Sequence, residues 1–232
     1  MNRALILGKH QARMAELAGL LDGLGLRAQL HAADLGAGPE ARPRVLLADE
    51  DADGLQEGKL PAGVSDIPIR IAISGSGAPV PGMQAVVMPP ATEASLARAL
   101  LDTGYYLPAD AECAAIAATL HDLVEGDSAI VGELIDSLIA TGEADIAAYR
   151  ARCAEGNWLA AGALAHRIKG TARMAGCASL TRLSERIEAA SRAEAGKLLP
   201  DLNAIFAPGV DRLCAALREL RRAPPSFGNF AR

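Results

Sequence analysis

Large aromatic side chains are nearly missing from this 232-residue chain: one Trp, three Tyr and three Phe, 3% in all. That scarcity excludes a deep sandwich core filled with rings. Long apolar runs are missing as well. Runs such as Ala4–Leu7 and Val45–Ala48 fall far short of the roughly 20 residues a membrane helix needs. Met1-Asn2-Arg3 leads into the first of them without a signal-peptide pattern. There is no excess of positive charge: 23 Lys and Arg stand against 28 Asp and Glu, for a net charge of −5. The electrostatic footprint of a nucleic-acid binder is therefore absent. Cys113, Cys153, Cys177 and Cys214 form no C-x-x-C pair. This excludes a zinc ribbon or disulfide framework and points to reduced thiols in a cytoplasmic protein.

Alanine is what the chain has instead, 49 residues of it. With the highest helix propensity and a small side chain, it favours helices that approach closely. Two halves differ in periodicity. As far as residue 103, short apolar runs alternate with helical stretches. Ala4–Gly8, Ala28–His31, Arg44–Asp49, Ile67–Ser74 and Ala85–Met88 read as strands, and Gln11–Leu24 and Glu93–Leu101 as helices. The alternation predicts an α/β half, a mostly parallel sheet with both faces covered. Gly54–Asp66 reads as a loop where a helix is due.

Residues 104–108 read as a linker, and 109–222 show helical spacing throughout. Five segments are expected: Ala109–Glu125, Asp127–Glu155, Asn157–Ala175, Cys177–Ala193 and Leu198–Leu220. Asp127 and Asn157 stand at N-cap positions, and Gly126, Gly156 and Gly176 where helices should end. Pro208 is expected to kink or divide the last segment. The result is an all-α antiparallel bundle, followed by a mobile tail over 223–232 that carries Phe227 and Phe230.

The most informative stretch is Leu159–Ala175. At 100° per residue with His166 at zero, Ala161, Leu164, Ile168, Ala172 and Ala175 fall between about 160° and 240°. Gly162, Gly170 and Arg173 lie within about 40° of His166, and Lys169 about 60° away. His166 is thus expected to point outward between two small residues and beside two cations. Each mid-helix glycine costs about 1 kcal/mol relative to alanine, and clearing space around the imidazole for a docking partner accounts for both. A neutral imidazole is a usable nucleophile at neutral pH. Phosphoryl transfer needs positioning and cations more than covalent help, and Lys169 and Arg173 can supply charge. No metal partner shares the face. Asp49-x-Asp51-x-Asp53-Gly54 begins like a calcium loop but has Leu60 at the twelfth position, where a bidentate glutamate is required. Gly75-Ser76-Gly77 is followed by Pro79 and Pro81 rather than by a dinucleotide-binding helix. No cofactor is implied.

Ala165-His166-Arg167-Ile168-Lys169-Gly170-Thr171-Ala172, with Gly176, Leu180 and Leu183 beyond it, closely resembles the signature of histidine phosphotransfer (HPt) domains of bacterial phosphorelays. The likeness covers about residues 109–222 and includes Ser184-Glu185-Arg186-Ile187-Glu188. It implies a four-helix bundle in which His166 accepts the phosphoryl group, with Lys169 the matching lysine and Gly170 the small neighbour. Arg173 and Arg167 become helpers at the docking face. The implied partners are receiver domains of a hybrid sensor kinase and of a response regulator, with no nucleic acid, no membrane and no ATPase or kinase activity of the chain's own. A non-phosphorylated receiver-docking or scaffold protein is the alternative.

The first half resembles a receiver (flavodoxin-like) domain more weakly. Val45-Leu46-Leu47-Ala48-Asp49 matches the strand ending in the phospho-acceptor aspartate, and Ser74 ends the next strand where receivers have Ser or Thr. Leu5-Ile6-Leu7-Gly8-Lys9 lacks the acidic pair that binds Mg²⁺ in that family, and Val86-Val87-Met88-Pro89-Pro90 lacks its lysine. The resemblance therefore implies a degenerate receiver over 1–103 that is not phosphorylated at its vestigial site, Asp49 and Ser74.

Overall fold

The computed structural model describes residues 3–30, 42–55, 57, 59–61, 63–193 and 198–222. Five short strands form one sheet: β1 (Arg3–Leu7), β2 (Arg27–Gln29), β3 (Val45–Asp49), β4 (Ile69–Ile73) and β5 (Ala85–Val87). All pairs are parallel, in the order β2-β1-β3-β4-β5, with Leu5 opposite Leu46 and Leu47 opposite Ile71. This is the doubly wound order with its switch point between β1 and β3. The expected second strand is shorter than Ala28–His31, and His31 lies outside the described residues, as does the whole 223–232 tail.

Both faces of the sheet are covered, as expected: one by helices and the other, among the described residues, by loops. Helices α1 (Gln11–Gly23) and α2 (Glu93–Asp102) pack Met14, Leu17, Leu21, Leu96 and Leu100 on the face bearing Ile6, Leu47 and Ile71. The opposite face, with Leu5, Leu46, Ala48 and Ala72, is closed by Leu55, Val64, Ile67 and Val80 from loops. Those loops are rich in Gly and Pro, which favour turns and let the chain fold apolar side chains back onto the strands.

Beyond the sheet come α3 (Asp110–Leu123), α4 (Ser128–Ala154), α5 (Trp158–Met174), α6 (Ala178–Arg192) and α7 (Leu199–Arg222). Helices α4 to α7 close a four-membered ring of neighbours, and α3 packs against α4 and α7. The expected caps are in place. Asp127 accepts from the amides of Ala129 and Ile130, and Asn157 from that of Ala160. Helix α7 is not divided at Pro208; it is one helix over Leu199–Arg222. Phe206 and Val210, buried on either side of the proline, offset the roughly 3 kcal/mol that proline costs inside a helix.

The sheet and the bundle share one hydrophobic core. Tyr105 and Leu107, between α2 and α3, are buried in it with Leu100, Ile116 and Leu180. Tyr106 lies between the guanidinium groups of Arg44 and Arg212, 4.6 and 4.4 Å from its ring centre. Arg186 of α6 forms a two-pronged ion pair with Glu93 at the start of α2, and Arg98 meets Asp201 at 2.9 Å. A Cβ added at Gly25 would stand 2.9 Å from the Ser179 carbonyl oxygen, so this turn touches the first turn of α6. Leu107→Ala, which opens a cavity in the shared core, is expected to cost about 2–5 kcal/mol. Denaturant unfolding followed by far-ultraviolet circular dichroism and by tyrosine fluorescence should show the two signals shifting together. Separate transitions would contradict a shared core.

Candidate functional site

Helix α5 starts after Gly156, with Asn157 as its cap, and stops at Gly176, which adopts φ of 73°. The following residue, Cys177, is buried and begins the turn into α6, so α5 and α6 run antiparallel and in close contact. This pairing decides where His166 looks. Ala161, Ile168, Ala172 and Ala175 are buried, as their helical positions predict. The buried arc is nevertheless wider than the stripe, because Gly162 and Ala165 are buried too. They face α6, a second neighbour that the spacing within one helix does not reveal.

His166 lies at the edge of that arc, with 62% of its side chain exposed. Its Nδ1 is 3.0 Å from Oε2 of Glu188 on α6. The same carboxylate oxygen accepts from Lys169 Nζ at 2.8 Å, and the other oxygen accepts from Arg192. Glu188 itself is buried. The Lys169 hydrogen bond and the contacts with His166 and Arg192 outweigh burial and hold its carboxyl down at about 2. An ionised carboxylate only accepts hydrogen bonds. The imidazole nitrogen that faces it therefore carries the hydrogen, and the lone pair of the neutral ring is left on Nε2, away from Glu188.

The cations of this face are not free as the helical wheel implies. Only 14% of the Lys169 side chain is exposed, and its ammonium is folded against Glu188. Arg173 is paired with Glu185 at 2.6 Å and Arg167 with Asp145 of α4 at 2.8 Å. Lys169, Arg192, Arg173 and Arg167 are thus set against three carboxylates, Glu188, Glu185 and Asp145. Net charge around a neutral His166 is +1 by this count.

The two glycines separate. A Cβ at Gly170 would meet nothing within 4 Å, whereas one at Gly162 would lie 2.7 Å from Ser191 Cβ. Clearing space beside the imidazole is therefore corrected as the reason for Gly162: it lets α6 approach closely enough for Glu188 to reach His166. Above it, Leu159, Gly162, Ala163, Glu188, Ser191 and Arg192 line a shallow cleft of about 140 Å³. Asp49 and Ser74 belong to a different place, the C-terminal edge of the sheet, where both are buried. Among the described residues no group of three or more His, Cys, Asp or Glu side chains is placed to hold a metal ion. None of their helices is long and apolar enough to cross a membrane.

The family model described as "Hpt domain" matches residues 133–223, which run from α4 to just past the end of α7. The chain carries an HPt domain. It therefore has a histidine phosphotransfer role in a phosphorelay, a pathway in which HPt domains interact with receiver domains. No curated protein and no solved structure matches the chain significantly.

Glu188, Glu185 and Arg192 are the partners of His166, Lys169 and Arg173 that the pattern within α5 does not reveal. The antiparallel hairpin contains the missing signal: His166 and Glu188 are equally distant in sequence from the turn at Cys177. Gly162→Ala is expected to destabilise the bundle by about 1–3 kcal/mol through overpacking, with Gly170→Ala stabilising or neutral in the same denaturation measurement. The depressed Glu188 carboxyl adds stability that is complete above its ordinary 4.5 and is lost as pH falls towards about 2. Melting temperatures across that window should fall less steeply for Glu188→Gln than for the unaltered protein. Parallel curves would count against the charged network.

Proposed function

We propose that the chain is a phosphorelay intermediate in which His166 accepts a phosphoryl group from a receiver aspartate and passes it to a second receiver. The observation that carries this reading is the pairing of His166 Nδ1 with the ionised Glu188, which leaves Nε2 outward with its lone pair. In the forward step this lone pair attacks the phosphorus of an aspartyl phosphate. The aspartyl P–O bond breaks, and its electron pair stays with the departing carboxylate. The imidazole, now bonded at Nε2 and still protonated at Nδ1, is cationic, and Glu188 beside it stabilises that charge, as a buried carboxylate does for a catalytic imidazole. Return of the phosphoryl group to another aspartate reverses these bonds.

Phosphoryl transfer depends on placement and on compensating charge. Lys169, one turn along α5, lies beside the ring through their shared carboxylate, and Arg173 and Arg167 flank it on the rim. Gly170 leaves the approach open. In this reading 109–222 is the phosphotransfer unit, and receivers of a hybrid sensor kinase and of a response regulator are its partners in the cytoplasm. Residues 1–103 are a receiver-like half without phosphorylation at Asp49.

The test is to mix the full chain with a receiver phosphorylated in its aspartate and follow the label. Transfer to the chain, acid-labile as a phosphohistidine is, and its loss in His166→Gln are the expected results. Asp49→Asn should transfer like the unaltered protein. Equal labelling of His166→Gln would overturn the assignment. Receiver binding without any transfer would favour a docking scaffold instead.

A further inference from the structure

The sheet edge holding Asp49 is a second concentration of charge among the described residues, and the proposed phosphotransfer site makes no use of it. Asp49 ends β3 with its side chain 1% exposed. One of its oxygens accepts from the Glu50 amide at 3.0 Å; the other lies 3.0 Å from Nε of Arg13, in the first turn of α1. The same guanidinium is 3.8 Å from Glu50, whose second oxygen accepts from the Gly75 amide at 2.8 Å. Asp51 accepts from the Lys9 amide at 3.1 Å and lies 3.5 Å from His10 Nε2, and Lys9 Nζ meets Asp53 at 2.7 Å.

A receiver-like edge implies a divalent cation bound by acidic residues after β1. The residues here do not fit one. Gly8 and Lys9 occupy that turn, and neither offers a side-chain oxygen. A Cβ at Gly8 would lie 3.2 Å from Asp49 Cβ and 3.3 Å from Asp51 Oδ1, so these two side chains already close over the turn. The charge of the buried carboxylate must still be compensated, because an unpaired buried charge is strongly destabilising.

We infer that the Arg13 guanidinium is the resident counter-cation of Asp49 and takes the place that a divalent ion holds in a receiver. The contact is a charge contact more than a hydrogen bond: Nε and the carboxylate oxygen are close but not aligned for one, and Nη2 of Arg13 is buried without a hydrogen-bond partner. Burial is the largest influence on the Asp49 carboxyl and leaves it above its ordinary range, while the Glu50 amide and then Arg13 pull it back down. An arginine cannot exchange with the medium. The edge is thereby fixed in one charge state, with its acceptor oxygen covered.

The experiment is ion rescue on the full chain, with Mn²⁺ as the probe and thermal melting and Mn²⁺ paramagnetic resonance as readouts. The unaltered protein is expected to show no Mn²⁺-dependent rise in melting temperature and no saturable site below millimolar concentrations. Arg13→Met is expected to melt lower and to recover part of the loss in Mn²⁺, with an affinity of about 0.1–1 mM, that of weakly built oxygen sites. Arg13→Met/Asp49→Asn should lose the rescue. Arg13→Lys, which keeps the charge, should behave as the unaltered protein does. An Asp49-dependent Mn²⁺ site in the unaltered protein overturns the inference, and that measurement stands even if Arg13→Met fails to fold. Absence of rescue in folded Arg13→Met also overturns it, leaving Arg13 as an ordinary ion pair.

Discussion

Glu188 is the constraint on which the working face of the bundle depends. One carboxylate accepts from His166, Lys169 and Arg192. If it were absent, the imidazole could rotate and carry its hydrogen on either nitrogen, and the lysine would extend into solvent. With it, ring orientation, tautomer and the nearest cation are fixed together. The carboxylate reaches the ring only because α6 lies close against α5, and α6 lies close because Gly162 has no side chain to meet Ser191. A helix-weakening glycine is thus retained because it permits the polar contact. The loss of about 1 kcal/mol in propensity is offset by a buried charge that is fully partnered.

Helix α6 also joins the two halves of the molecule. Glu185, Glu188 and Ser191 face α5, whereas Ser179 and Arg186 face the sheet half through Gly25 and Glu93. The sheet half is therefore packed on the side of α6 remote from His166. The His166 imidazole stays 62% exposed, although about half the chain is folded against the same helix. Tyr106 held between two arginines, with Leu107 in the core beside it, gives residues 104–108 the character of a packed joint.

Much of this was legible in the chain, for reasons particular to each element. Ala4–Leu7 and Val45–Asp49 are nearly continuous apolar runs, as strands buried on both faces must be. Asp127 and Asn157 cap helices locally, so no distant residue had to be known. The outward direction of His166 followed from the 3.6-residue period. What stayed hidden depends on a second element. The partners of Lys169, Arg173 and Arg167 come from α6 and α4, and a wheel drawn for α5 alone leaves all three cations free. The loop-covered face of the sheet was hidden for a related reason. Leu55, Val64, Ile67 and Val80 have no helical period, and only the folded chain shows that they meet on Leu5, Leu46, Ala48 and Ala72. Pro208 reads as a kink or a break because local propensity opposes it; α7 runs undivided through it, with Phe206 and Val210 buried on either side.

The two charged clusters solve opposite electrostatic problems with the same residue types. At α5 and α6, a buried carboxylate gathers cations and the group it orients, His166, remains in solvent. At the sheet edge, a cation is laid against the carboxylate that the fold would otherwise present. Asp49 becomes 1% exposed and ion-paired. The proposed nucleophile needs an accessible lone pair with its charge balance supplied from behind, which is where Glu188 lies relative to Nε2 of His166. An acceptor aspartate needs its oxygen in front and an exchangeable cation beside it. Arg13 removes both conditions at once, since it blocks the oxygen and cannot leave. The asymmetry between the halves is thus written in where the compensating charge sits relative to the reactive atom. Gly8 and Lys9, where a receiver would have acids, make the same choice in the turn after β1.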